Sequence, residues 1–269
     1  MFENQKDIRF DDDLQLEAYI FNGVVQAFPN HFHEYFVIGL IEAGERRLTV
    51  NNREYCIGPG DLISFNPMEN HACEQKSGTL RYRCLNIKQE IMQGIARELF
   101  ESDELPYFKE PVQHNTALAP SFGALHESIM HNGAELEKEE LFLLFMEQLL
   151  SYAGRANPSA QRKEIEALCT FLEQHYAERI TLNMLSELVQ LNKYYLVRLF
   201  TRHKGITPYR YLETIRINKA KTMLEQGIEP AQAAQLVGFS DQSHFSTYFG
   251  KFIGLTPGQY QAIFREVAK

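Results

Sequence analysis

Leu188-Val189-Gln190-Leu191-Asn192 and Leu236-Val237-Gly238-Phe239-Ser240 are two copies of one pattern, 48 residues apart. After one inserted residue the match continues at an offset of 49. Leu196 then pairs with Phe245, Phe200 with Phe249, Gly205 with Gly254, Thr207-Pro208 with Thr256-Pro257, and Tyr211 with Tyr260. Each copy reads as a short helix, a brief turn, a second helix and then Gly-x-Thr-Pro. Such a repeat is one supersecondary unit used twice, and its layout is that of a helix-turn-helix. A repeated α-hairpin with only a packing role has the same period, so the outward residues must decide between the two.

In the first copy Asn192 can cap a helix over 193–203 that ends near Gly205. Leu196, Leu199 and Phe200 form its inward stripe. Lys193, Tyr194, Val197, Arg198 and Arg202 then lie outward or at the edges. Arg and Lys can pair with guanine edges, Tyr and Val can meet a thymine methyl, and Asn192 at a helix N-terminus suits phosphate. In the second copy Phe245, Phe249 and Phe252 point inward, leaving Gln242, Ser243, His244 and Thr247 for a groove. Gln242 can read adenine. Asp241 can accept from cytosine or merely stabilise the helix N-terminus. This copy is poor in cations, with Lys251 near its end. Between the copies, Pro208 opens a helix to about Glu225 that Gly227 stops. Its 18 residues span about 27 Å, enough with the width of the units to set two reading helices in adjacent major-groove segments, about 34 Å apart. Arg216, Lys219 and Lys221 on this connector are candidate phosphate contacts. Upstream, 163–176 reads as a helix with Ile165, Leu168, Cys169 and Leu172 on one face. Thr181 caps the next helix, whose expected core is Leu182, Leu185, Leu188 and Val189.

Charge follows the same division. Residues 158–269 hold 14 Lys+Arg against 10 Asp+Glu, whereas residues 1–157 hold 13 against 25. A basic part joined to an acidic one points to nucleic acid for the former. Small polar residues with Gly154 and Pro158 mark a linker over 154–163, between a domain at 1–153 and one at 164–269. With 44% apolar residues over 269 positions the chain can build two cores. Cys56, Cys73, Cys84 and Cys169 show no CxxC spacing, which suits a reducing compartment. No apolar run reaches membrane-helix length and no signal segment is visible, so the expected location is cytoplasmic, with no membrane partner.

The N-terminal part alternates like a sheet from about 14 to 87, with runs 35–41, 46–50, 54–57, 62–65 and 80–87. The expected breaks are Ala43-Gly44, Asn51-Asn52, Gly58-Pro59-Gly60-Asp61 and Asn66-Pro67. This spacing predicts an antiparallel barrel or sandwich. Helical periods follow at 90–100, 120–130 and 135–152. The last carries a stripe of Leu141, Leu144, Phe145, Gln148, Leu149 and Tyr152, which must cover the sheet, a neighbouring helix or a second copy of the chain. Part of it is the expected dimerisation face. His31 and His33 point the same way on a strand, and His71 follows a strand and turn. The three imidazoles can converge on a metal, contact a small ligand, or pair among themselves. Glu34 would point away from His31 and His33 on a regular strand, and without a carboxylate ligand the expectation is effector contact and no cofactor. Arg46 and Tyr82, with Glu34, complete the candidate effector-binding set.

The segments Arg216-Ile-Asn-Lys-Ala-Lys221 and Val237-Gly-Phe-Ser-Asp-Gln-Ser-His-Phe-Ser-Thr-Tyr-Phe-Gly-Lys-Phe-Ile-Gly-Leu-Thr-Pro-Gly-Gln-Tyr260 resemble the AraC/XylS family of transcriptional regulators. His31-Phe-His33, Gly58-Pro-Gly60-Asp61 and Pro67 followed by His71 resemble that family's cupin-type effector domain. The resemblance implies a two-domain α+β chain: a cupin-like β-barrel with appended helices, then an all-α domain of two helix-turn-helix units joined by a long helix. It also implies a homodimeric, effector-controlled regulator of promoter DNA, often an activator working with RNA polymerase. The chain departs from the family at Thr247, Gly250 and Gln261, where basic residues are common. Phe36 and Val37 stand where a metal cupin enzyme would carry its glutamate, so no enzyme is expected. Two alternatives stay open: a barrel that serves only dimerisation, and a metal-dependent cupin tethered to DNA.

Overall fold

The computed structural model describes residues 5–100, 103–114, 116–155 and 163–267. Contacts divide it into two units. The first comprises residues 5–28 and 33–155, and the second comprises residues 29–32 and 163–267.

The first unit begins with strands β1 Gln5–Asp11, β2 Leu16–Val24 and β3 Phe28–His31, the last running across the division. Then come β4 Phe36–Val50, β5 Arg53–Ile57, β6 Leu62–Phe65 and β7 His71–Ile87. The helices are α1 Gln89–Phe100, α2 Ala119–Met130 and α3 Glu135–Leu150; short strands β8 Pro106–Tyr107, β9 Val112–Gln113 and β10 Gly154–Arg155 lie among and after them. The main path of the antiparallel sheet is β1-β2-β7-β4-β6-β9, with β5 also on β4. Ala43-Gly44 does not break the strand as expected. Gly44 takes φ +80° and the register slips beside β7, so one long strand bends through a bulge instead of ending. Asn51 and Asn52, at φ 46° and 66°, make the tight turn into β5. Sequence reading missed β1, whose polar residues Gln5, Lys6, Asp7 and Arg9 hide an edge strand.

Alternation on β4 explains the layers. Every residue from Phe36 to Ile41 is buried, so both faces of this stretch are covered. Phe36, Ile38 and Leu40 join Leu16, Ala18, Leu85 and Ile87 against α2 and α3, through Phe122, Leu125, Phe145 and Leu149. The other face carries Val37 and Ile41 with Tyr19, Phe21, Leu48, Ile63, Leu80 and Cys84, all buried outside that cluster. Covered by none of those helices, this face must be enclosed by the sheet's own curvature.

Two buried polar links join helices to strands. His126 is fully buried, and its Nε2 donates to the Tyr19 carbonyl at 2.9 Å. Lys138 reaches Asp11 at 2.6 Å and Asp13 at 2.5 Å. Burial alone would lower the lysine's pKa, but the two carboxylates outweigh it and raise the value. Gly154 and Arg155, expected as the start of the linker, pair with Tyr107 and Pro106; the rest of that segment to 162 lies outside the described residues.

The second unit contains α4 Lys163–Gln174, α5 Leu182–Val189, α6 Lys193–Lys204, α7 Pro208–Glu225, α8 Pro230–Leu236, α9 Gln242–Ile253 and α10 Pro257–Val267. The duplication is visible atom by atom. Asn192 accepts from the Tyr195 N–H at 2.9 Å, and Asp241 from the His244 N–H at 2.7 Å. Gly205 and Gly254 end the two second helices at φ 71° and 86°. Tyr211 donates to Glu173 at 2.8 Å, and its repeat partner Tyr260 to Glu225 at 2.7 Å. Each tyrosine thereby pins the helix after its hairpin to the helix before it. Thr181 caps α5 as expected, accepting from Met184 N–H at 3.3 Å. In α5 only Leu185 is fully buried; Leu182 and Leu188 are exposed, because an eight-residue helix has room for one narrow inward stripe.

Candidate nucleic-acid interface and sheet interior

In α6, Leu196, Leu199 and Phe200 are buried, which turns the opposite face outward. Lys193, Arg198 and Arg202 are exposed there, beside the cap Asn192. Tyr195, 44% exposed, belongs to this face and was not singled out from sequence. Its signal was its place in the first turn, three residues after the cap. Val197 is only partly exposed and packs against the core. The side chain of Tyr194 lies outside the described ones.

In α9, Phe245, Phe249 and Phe252 are buried, and Gln242, Ser243, Thr247 and Lys251 are exposed next to the cap Asp241. His244 is half-buried, its ring 4.6 Å from that of Tyr248 and 5.6 Å from that of Phe239. Sequence reasoning found little positive charge here. The structure adds Arg210 of α7, whose guanidinium lies 5.3 Å from the Tyr248 ring, as does the Lys251 ammonium.

Arg216 corrects an expectation. Instead of being free for phosphate, its Nε donates to the Tyr176 carbonyl at 2.7 Å and its Nη2 to the Glu178 carbonyl at 2.8 Å. It caps the chain leaving α4, beside Gly238, where any Cβ would fall 2.5 Å from the Ala177 carbonyl oxygen. Lys219 is half-buried. Lys221 is buried, with its ammonium 5.5 Å from the Tyr260 ring. The connector helix is therefore mostly structural. Gln261, where the family often has arginine, is buried and donates to the Ile228 carbonyl at 2.7 Å.

The candidate effector residues fall in both units. Arg46 is fully buried and Tyr82 half-buried on strands β4 and β7. The Tyr82 ring occupies the space over Gly39, where a Cβ would fall 2.3 Å from it. Burial holds the Tyr82 hydroxyl well above its ordinary pKa. His33 and His71 lie with ring centroids 5.2 Å apart; His71 stacks on Phe65 at 4.0 Å and bonds the Glu69 carbonyl at 2.9 Å. Glu34 is partly exposed, and its carbonyl accepts from Gln89 at 2.7 Å. His31 groups with the second unit, and His33 and His71 belong to the first. Burial pushes the His31 ring down to about 4, leaving it neutral.

The expected dimerisation stripe also splits. Phe145 and Leu149 are fully buried in the first unit's own core and Leu141 packs against it, so they cannot serve a second copy. Leu144 and Tyr152, 55% and 50% exposed, and Gln148 remain on the surface.

Comparison with known proteins agrees with both units. Residues 14–146 match the AraC-like ligand binding domain, and residues 185–263 match a helix-turn-helix domain. The HTH-type transcriptional regulator YbfI of Bacillus subtilis (strain 168) is 47% identical over 249 residues, covering 91% of this chain and 90% of that one. The HTH-type transcriptional activator RhaS of Pectobacterium carotovorum subsp. carotovorum (strain PC1) is 30% identical over 259 residues, covering 89% and 90%. The fold is shared with ToxT of Vibrio cholerae strain SCE256, solved with an unsaturated fatty acid bound, at a TM-score of 0.56 and 16% identity over the full length of both chains. The repeated hairpins, the two caps, the outward basic face of α6 and these relatives together place the chain in the AraC/XylS family of DNA-binding transcriptional regulators, with an AraC-like ligand-binding domain at its N-terminus.

Proposed function

We infer that this regulator activates transcription when a small molecule enters the interior of its N-terminal sheet, and that it acts as a homodimer on promoter DNA in the cytoplasm. The observation that carries the reading is the outward face of α6, where Lys193, Tyr195, Arg198 and Arg202 are exposed behind a buried Leu196-Leu199-Phe200 stripe. α9 offers Gln242, Ser243 and Thr247 in the repeat-related place. Arginine can read guanine bidentately, and glutamine can read adenine. Activation is supported by the activator RhaS among the relatives, and engagement of RNA polymerase follows from it. An effector is supported by the doubly covered sheet and by the fatty acid on the structural neighbour ToxT. The effector must bind two states of the regulator unequally to control it. A homodimer is supported by the exposed Leu144, Gln148 and Tyr152.

The test is binding to intergenic fragments beside the gene, across salt concentrations. Arg198→Ala should cost about 1–3 kcal/mol and relax discrimination at one base position. Equal loss on random DNA would reduce Arg198 to a phosphate contact, and failure to bind any such fragment would sink the promoter reading. Leu144→Asp should shift sedimentation toward monomer if α3 forms the dimer.

A further inference from the structure

The interior of the N-terminal sheet holds a cation that no ion pair among the described residues neutralises. Arg46 is fully buried. Its Nη1 donates to the Gln26 carbonyl at 3.3 Å, and its Nη2 donates to the Val24 carbonyl. Its Nε, also buried, has no hydrogen-bond partner among the described residues. Both acceptors are neutral, and no carboxylate among the described residues forms an ion pair with it, whereas Arg81, Arg83, Arg97 and Arg210 each have one. Arginine does not shed its proton in proteins. A buried charge without a counter-charge is costly, so a structural role met by two carbonyls leaves the charge unexplained.

The surroundings describe what would balance it. On the inner face, Phe21 lies 6.3 Å from Tyr82 and 6.2 Å from Phe28 between ring centroids. Leu48 on the same strand, and Leu80 and Val24 on β7 and β2, are buried. The Cys73 thiol, whose charge would act on Arg46, has its pKa pushed up to about 11 by burial, so it stays neutral and supplies no counter-charge. Glu17, a buried carboxylate on this face, receives Tyr19 at 2.9 Å and Asn86 at 3.0 Å. The site thus combines the buried Arg46 guanidinium with aromatic and aliphatic walls, and the Lys6 ammonium lies 5.8 Å from the Phe21 ring.

We propose that the effector is a small organic carboxylate, its oxygens paired with the Arg46 guanidinium and its apolar body laid against Phe21, Phe28 and Tyr82. This rests on the reading that the sheet interior is the effector site, and it adds the chemical class. The free Nε and the Nη edge offer the planar donor fork that carboxylates fit.

Full-length protein tests it, with Arg46→Met to remove the charge at similar volume and Arg46→Lys to keep it. Melting and calorimetry use benzoate, phenylacetate, 3-phenylpropionate and hexanoate, each beside its carboxamide. At least one acid should raise the wild-type melting temperature by roughly 5 °C at a hundredfold excess over Kd, and its amide should not. Arg46→Met should weaken acid binding on the order of tenfold or more, and Arg46→Lys should keep part of it. In acid-free buffer Arg46→Met should melt within a few degrees of wild type, because losing the uncompensated charge offsets the Val24 and Gln26 carbonyls left without their donor. Arg46→Met melting several degrees lower there, acids and amides acting alike, or none of the acids acting on wild type would each overturn the proposal. A neutral compound that binds both proteins and alters promoter binding would overturn the carboxylate while leaving the effector reading intact. Acid binding through Arg46 with promoter binding unchanged would do the reverse.

Discussion

Two arginines separate what a residue type implies from what its partners allow. Arg198 is exposed on α6; Arg216 spends its guanidinium on the Tyr176 and Glu178 carbonyls. Both stand in basic, helical stretches that read alike in sequence, because the acceptors of Arg216 lie some 40 residues upstream. Arg216→Ala should therefore lower the stability of the C-terminal unit by roughly 1–3 kcal/mol, through two carbonyls left without their donor. It should leave the dependence of DNA affinity on salt unchanged. Urea melts and a plot of log K against log salt check this together. A phosphate contact would instead reduce the slope by about 1 with stability intact. The same limit hid Arg210, which is read on α7 but lies against Tyr248 of α9.

The repeat itself makes a prediction for an element. Gln190 and Gly238 occupy matched places after α5 and α8, and both have positive φ, 52° and 83°. Glycine takes this conformation without penalty, whereas glutamine does not. Gln190→Gly should stabilise the first hairpin by about 0.5–1 kcal/mol, seen as a higher urea midpoint with unchanged DNA affinity; a lower midpoint would mean that the Gln190 side chain contributes to the fold. Local signals of this kind made the helical unit legible. Asn192, Thr207-Pro208, Gly205 and Gly254 act within a few residues of where they stand, so helix ends could be read closely. The sheet was less legible because its rules are non-local. Gly44 bends a strand only because β7 runs beside it, and polar β1 is a strand only because β2 pairs with it. Phe145 and Leu149 share the period of Leu144 and Tyr152, but only the packed core decides which of them are left for a partner.

At the scale of a whole folded unit, acidity is the lever. His126 of α2 is buried against β2, its Nε2–H on the Tyr19 carbonyl. Burial is the main cause that lowers its pKa from 6.5 to about 4; Arg83 pushes the same way, while the Tyr19 bond and Glu127 push back. Below pH 6.5 the unfolded chain takes up a proton that the folded unit refuses, so stability falls with falling pH. The loss is absent above about pH 7, grows between 6.5 and about 4, and levels off below, where both states are protonated. The full span corresponds to about 3 kcal/mol at most. The helix layer and the sheet share one core across this bond, so the cost falls on the unit as a whole. Denaturant melts of the full chain, followed by hydrogen exchange at Tyr19 and the α2 amides, should show the first unit losing stability from pH 7 to pH 4.5. His126→Gln can keep a donor for the Tyr19 carbonyl and carries no charge at any pH, so it should flatten that slope. A slope unchanged in His126→Gln would mean that His126 does not carry the acid sensitivity.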